Sequence, residues 1–267
     1  MGNATMKFSA NLGFLFAERG LVARIGAAAA CGFEAVELHW PYDVPAAEVS
    51  AALRATGLRL IALNTGPGDT AAGEFGLAAV PGRELEFRQT VQQALDYAVA
   101  TGAAAVHCMA GLVGAQGLTA AGHCFVENLQ IASELAAAAG VGLLIEPINT
   151  RDKPGYALTT VEQAAAIIKR TGRQNIRIMF DCYHVQIMQG DLTRRIEQQI
   201  EMIGHVQIAA VPSRAEPDAG EVNYLHIMAT LQRLGYAGWV GAEYKPGGRT
   251  EDGLGWRAAD LAPCCAP

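Results

Sequence analysis

Four apolar runs in this chain each finish in an oxygen-bearing side chain. Residues 141–145, apolar apart from one glycine, run into Glu146, and residues 176–180, apolar apart from Arg177, run into Asp181. His205 and Val206 lead to Gln207, and residues 239–242 lead to Glu243. Pro147 stops the first run, because it has no N–H to donate to a β-ladder. A carboxylate at the end of a buried strand is costly unless a metal ion, another cation or a substrate pairs with it. Together, three carboxylates and one neutral amide suit a hard divalent cation such as Mg²⁺ or Mn²⁺. Such a site would retain one net negative charge and could take a pair of substrate oxygens. The competing arrangement is a structural polar layer held by arginine.

Residues this far apart in sequence meet only if the elements between them bring the strand ends together. Strand-like runs occur at 7–12, 35–38, 59–63, 105–109, 141–145, 176–180, 205–209 and 239–243. Helical patterns lie between and after them, at about 21–31, 45–57, 83–101, 120–139, 160–171, 193–202, 224–235 and 250–261. Local signals agree. Gly32 and Gly57 suit helix ends, Pro45 suits a first turn, and Thr159 or Thr160 suits an N-cap with Glu162 behind it. Strands alternating with helices indicate parallel βα units. Eight of them predict an α/β fold, a (β/α)₈ TIM barrel, as a single domain over 1–267. A doubly wound open sheet is the runner-up, and no G-x-G-x-x-G follows the first strand to support its commonest cofactor.

Barrel active sites are built at the C-terminal ends of the strands. In order, those ends carry Asn11, Glu37 with His39, Asn64, His107, Glu146, Asp181 with His184, Gln207 and Glu243. A polar group at every end is a stronger signal than any one of them. Residues 64–82 form a long irregular stretch with five glycines and two prolines. Loops beyond ~12–15 residues usually serve function or are disordered, and the Gly66-Pro67-Gly68-Asp69 turn here reads as part of a lid.

The net charge of −6 argues against nucleic acid and anionic membrane surfaces as partners. Apolar runs break well before the ~18 residues of a membrane span, and residues 1–5 lack a signal-peptide core, so the expected location is cytoplasmic. The six cysteines include no C-x-x-C pair. Cys31, Cys108, Cys124 and Cys182 fit as small hydrophobes, while Cys264 and Cys265 lie in a tail.

The motifs I-E-P-I-N at 145–149, F-D-C-Y-H at 180–184, H-V-Q-I-A at 205–209, E-P-D-A-G-E-V-N-Y at 216–224 and A-E-Y-K-P at 242–246 resemble the hydroxypyruvate isomerase family. Further matches are S-A-N-L at 9–12, P-Y-D at 41–43, G-D…A-G-E at 68–74 and P-G-R-E at 81–84. This family sits among the xylose-isomerase-like barrels. The resemblance implies that Glu146 and Glu243 are the proton donor and acceptor, both also touching a divalent metal ion. It implies Asp181 and Gln207 as the other ligands and His184 as a hydrogen-bonding group on the substrate side. The epimerase relatives carry histidine where Gln207 stands, which puts their sugar specificity in doubt for this chain.

The implied reaction interconverts hydroxypyruvate and 2-hydroxy-3-oxopropanoate through an enediolate. A small anionic hydroxy-oxo acid of this kind needs a cation for its carboxylate. Arg214 and Lys245 are the candidates, with Arg83 a third. His107 and Asn64 are expected on the pocket wall, and Trp40 and Tyr42 beside them. The four-carbon 2-oxotetronate is a close alternative substrate and a ketose epimerised at carbon three a more distant one. From other classes come a metal phosphodiesterase acting on DNA and a non-catalytic sugar-acid binding protein. Homo-oligomer formation stays open.

Overall fold

The computed structural model describes residues 6–114 and 117–259. Eight strands, β1 (Lys7–Asn11), β2 (Ala35–Glu37), β3 (Arg59–Asn64), β4 (Ala105–His107), β5 (Gly142–Ile145), β6 (Ile176–Asp181), β7 (Ile203–Ile208) and β8 (Trp239–Ala242), pair in sequence order. Every pairing is parallel, and β8 closes the ring onto β1. The expected (β/α)₈ barrel is therefore the observed fold, and the open-sheet alternative is excluded.

The helices are α1 (Leu21–Ala30), α2 (Ala46–Thr56), α3 (Glu84–Thr101), α4 (Leu118–Ala138), α5 (Val161–Thr171), α6 (Cys182–Met188), α7 (Leu192–Gln199), α8 (Tyr224–Arg233) and α9 (Gly255–Ala259). α5 shows why the local signals were readable. Thr160 caps it through a reciprocal box with Gln163, Glu162 sits in the first turn, and Lys169 and Arg170 sit in the last.

Two expectations are corrected, and one helix was not foreseen. The helix expected over 193–202 ends at Gln199 and tightens into a 3₁₀ turn, Ile200–Met202. The last helix is a 3₁₀ turn, Thr250–Gly253, followed by the short α9; the remainder of that expectation, 260–261, lies outside the described residues. α6 was not expected at all. Its sequence, CYHVQIM, is aromatic and partly β-branched and suggests a strand running on, but Asp181 accepts a hydrogen bond from the Tyr183 N–H and starts a helix.

Most apolar side chains pack between the strands and the helix layer, including Leu63, Leu143, Ile145 and Phe180. Ala62, Leu144 and Met179 form a separate small cluster, with Ala105 against it. These residues alternate along their strands with the outward set, so they face the barrel lumen. Across the lumen the lining is polar. The Ser9 hydroxyl donates to Glu37 Oε1 at 2.5 Å, and Gln207 Nε2 donates to Glu37 Oε2 at 2.8 Å. His205 Nε2 lies 3.0 Å from Glu37 Oε1. Gly241 makes room for this group: a Cβ there would stand 2.2 Å from the Glu37 carboxylate. Among the described residues no helix is long and apolar enough to cross a membrane. Cys31, Cys108, Cys124 and Cys182 are free thiols; Cys264 and Cys265 lie outside the described residues.

Candidate active site

The C-terminal mouth of the barrel holds a cavity of about 520 Å³. Glu146 enters it from the residue after β5, where Pro147 ends the ladder, and Glu243 from the residue after β8. Both are buried and both line the cavity. Asp181, at the end of β6, is fully buried beside them. Burial, and then the charges of Glu243 and Asp181, push the Glu146 carboxyl well above the usual carboxylate range. Burial and Glu243 push Asp181 up as well. Gln207 contributes from β7.

Arg214 brings positive charge to these acids. Its Nη2 lies 3.5 Å from Glu243 Oε1 and 3.8 Å from Asp181 Oδ2. The guanidinium carbon sits 4.9 Å from the ring centroids of both Phe14 and Tyr183. Burial works against its charge, but Glu243, Asp181 and Glu146 outweigh that and bind its proton more firmly than usual. The Arg214 backbone has φ 56°, a left-handed conformation uncommon outside glycine. Two backbone bonds of 2.7 Å hold it there, from Arg214 N to Ala210 O and from Lys245 N to Arg214 O.

Three histidines complete the polar wall. His39 Nε2 is 3.1 Å from Glu243 Oε1. Gly13 lies against the His39 ring so closely that a Cβ would come within 2.1 Å of it. His107 Nδ1 is 3.3 Å from Asn64 Oδ1 and 3.7 Å from Glu146 Oε2. Burial, with His39 nearby, pushes the His107 ring down to about 3, which keeps it neutral at pH 7. His184, on α6, reaches toward Glu146 and Asp181 with its Nε2 at 3.8 and 3.5 Å.

The acids can accommodate a divalent cation. Asp181 Oδ2, Gln207 Oε1 and Glu243 Oε2 are buried and have no hydrogen-bond donor. Orphaned acceptors on three neighbouring strands are costly unless something electropositive faces them. Gln207 can point its oxygen to such a site because its amide nitrogen is committed to Glu37. Glu146, Asp181 and His184 also offer ligand-type atoms within 4.8 Å of one another, a spacing able to hold a metal ion.

Of the residues singled out in the sequence, Glu146, Glu243, His184, Arg214, Lys245, Asn64 and His107 all line this cavity, and Trp40 does too. Asp181 and Gln207 stand beneath, within the polar set. Arg83 is a correction: it pairs with Glu74 and Glu86, so its charge serves the loop and not the cavity. Tyr42 packs edge-on against Tyr97, and its hydroxyl donates to the Asn64 carbonyl. Phe75, from the long loop, does reach the cavity, as do Phe14, Lys153 and Asp152, which the sequence did not single out. Lys153 places its Nζ 3.9 Å from the Phe75 ring centroid. Asp152 and Lys153 lie three and four residues beyond the strand-five motif, and that nearness was the available signal.

The family description "Xylose isomerase-like TIM barrel" matches residues 25–259. The chain is 49% identical over 251 residues to a 2-oxo-tetronate isomerase from Cupriavidus necator, covering 94% of this chain and 96% of that one. It is 43% identical over 252 residues to the hydroxypyruvate isomerase of Escherichia coli, covering 94% and 98%. A crystal structure from Brucella melitensis described as an AP endonuclease, family 2, superposes with a TM-score of 0.93 at 44% identity, covering 95% and 98%. On these likenesses the chain belongs to the xylose-isomerase-like TIM-barrel family, among its hydroxypyruvate and 2-oxo-tetronate isomerases.

Proposed function

We propose that this protein is a keto–aldo isomerase that interconverts hydroxypyruvate and 2-hydroxy-3-oxopropanoate. The observation that carries the reading is the convergence of Glu146 and Glu243 on one cavity with Arg214 beside them. The proton on the hydroxyl-bearing carbon is weakly acidic, so its removal needs a positioned base and stabilisation of the oxyanion that develops. One glutamate takes that proton, and the electron pair moves onto the neighbouring carbonyl oxygen to give an enediolate. A proton then returns to the adjacent carbon, and a hydroxyl proton passes from one substrate oxygen to the other. Glu146, buried and lining the cavity, is placed to take up that proton and give it back.

Glu146, Asp181, Gln207 and Glu243 would hold a divalent cation, Mg²⁺ or Mn²⁺, which when bound supplies Lewis-acid stabilisation of the two substrate oxygens. Arg214 and Lys245 are the groups we assign to the substrate carboxylate, and Asn64 and His107 to the wall that orients the substrate. Free thiols at four positions fit a cytoplasmic setting.

The same shift on 2-oxotetronate is the second reading. It is favoured by a cavity roomy enough for one more carbon and by the 49% identity to an isomerase of that name. Carbon-bound deuterium exchange of hydroxypyruvate in heavy water, with and without a chelator, tests the chemistry. Parallel turnover of hydroxypyruvate and 2-oxotetronate tests the chain length. Exchange and turnover are expected with at least one acid. Inertness toward both in the presence of Mg²⁺ and Mn²⁺, with activity on a ketohexose, would overturn the reading. Ligand binding without exchange would make the protein a binding protein.

A further inference from the structure

His184 faces the acids with one ring nitrogen and Asn149 with the other. Its Nδ1 lies 2.6 Å from Asn149 Nδ2 and 3.3 Å from the Asn149 backbone nitrogen. The backbone nitrogen can only donate. The orientation of the side-chain amide is set from its far side. Asn149 Oδ1 accepts from the Asp152 N–H at 2.8 Å, and Asn149 Nδ2 donates to Asp152 Oδ2 at 3.1 Å. Turning the amide over would set its oxygen against a carboxylate and its nitrogen against an N–H, losing both bonds. Two N–H groups therefore point at Nδ1, which must present its lone pair. A neutral imidazole has one ring hydrogen, and it is left for Nε2.

We propose that Asn149, clamped by Asp152, is the positioning residue that keeps the ring hydrogen of His184 on Nε2. Nε2 also lies 3.4 Å from Arg214 Nη2, which only donates. The opposite tautomer could accept that one long contact, but it would turn an Nδ1–H against two donors, one of them at 2.6 Å. Two contacts outweigh one.

The consequence is chemical. Asp181 Oδ2 at 3.5 Å and Glu146 Oε1 at 3.8 Å are too far to take the Nε2 hydrogen properly. That N–H is free to donate to an oxygen bound between them. With its lone pair at Nδ1, His184 cannot offer Nε2 to a cation, although its position would allow it, so the ion falls to the carboxylates and Gln207. Resting on the isomerase reading, the Nε2–H becomes the donor to a substrate oxygen that gains charge as the carbon loses its proton.

The test is ¹⁵N NMR of the full-length protein with labelled histidine and Mg²⁺ present, with the His184 signals identified by their loss in His184→Gln. The expected pattern is a neutral ring with its hydrogen on Nε2. A hydrogen on Nδ1 in the wild type overturns the proposal, whether or not any variant folds. Asn149→Asp combined with Asp152→Asn conserves charge and keeps the clamp but replaces the donor at Nδ1 with an acceptor. In that variant the hydrogen should move to Nδ1, and kcat should fall about 10²–10³-fold, the usual cost of one lost oxyanion donor, with KM moving less than kcat. A kcat loss with the tautomer unchanged would mean that Asn149 acts in some other way, and would also overturn the proposal. Because the spectrum needs no substrate, a protein inert toward both acids but showing the Nε2–H pattern would sink the isomerase reading alone.

Discussion

The two halves of the barrel meet at one mouth and behave differently. The ends of β5 to β8 carry Glu146, Asp181, Gln207 and Glu243, and three of these residues hold buried oxygens with no donor. The ends of β1 to β4 carry oxygens that are already occupied. Asn11 Oδ1 accepts from the Gly13 N–H, Asn64 Oδ1 faces His107, and both Glu37 oxygens have donors. Glu37 shows what pairing accomplishes. Burial opposes its charge, yet His205, Ser9 and Gln207 outweigh burial and hold it below the usual carboxylate range, whereas Glu146 and Asp181 are pushed the other way. The first half is a polar scaffold whose carboxylate and amide oxygens have partners, and it carries aromatic walls. His107 Nε2 is its one buried strand-end atom left without a partner among the described residues. The second is electrostatically incomplete until something electropositive enters, and that incompleteness marks it as the reactive half.

The contrast can be broken most directly at the glutamates. Glu146→Gln and Glu243→Gln should each lower kcat about 10²–10⁴-fold, the range for losing a general base. Melting temperatures should not fall, because each change removes a crowded buried charge and keeps the volume. A near-normal rate in either would remove that residue from proton transfer. Next in size is the response to a divalent cation. At a hundred times its dissociation constant, Mg²⁺ or Mn²⁺ should stabilise the fold by ~2.7 kcal/mol. Thermal melts should show that gain lost in Asp181→Asn and retained in Asn64→Ala, which separates the two halves directly.

Gly241→Ala probes the scaffold from within the lumen. Its methyl would displace the Glu37 carboxylate, and chemical denaturation should show a loss of about 1–3 kcal/mol, typical of overpacking. The smallest effect expected is at Lys245, exposed at the rim with its Nζ 6.0 Å from the Phe14 ring centroid. Lys245→Ala should raise KM for an acid substrate about tenfold, ~1.4 kcal/mol, with little change in kcat. A larger fall in kcat than rise in KM would give Lys245 a chemical role.

Much of this was legible in the chain. Apolar runs ending in Glu146, Asp181, Gln207 and Glu243 announce themselves because a strand's period and its terminating polar residue are local properties. Thr160 with Glu162 in the first turn behind it, and Gly32 and Gly57 in left-handed backbone, mark helix boundaries for the same reason. α6 was not legible, since residues 182–188 are rich in residues that favour strands, and the Asp181 side chain that caps the helix reads equally as a strand end. Arg83 stood third among the cationic candidates, behind Arg214 and Lys245. The difference lies in Glu74 and Glu86, which claim Arg83 on the surface, while Arg214 is tethered through backbone bonds to Ala210 and Lys245.

The alternation of eight strands with helices and the list of acids at the strand ends were determined by sequence alone, because alternation and burial follow from neighbours along the chain. The pairing of β8 with β1 that closes the ring was decided by the tertiary structure. Which acid is paired and which is left wanting was decided only by tertiary structure. So were the face His184 turns to the cavity and which arginine enters it. Those outcomes depend on hydrogen bonds between residues far apart in sequence, 170 positions for Glu37 with Gln207 and 204 for His39 with Glu243, and one-dimensional spacing carries no information about which of two polar atoms will meet a partner across a lumen.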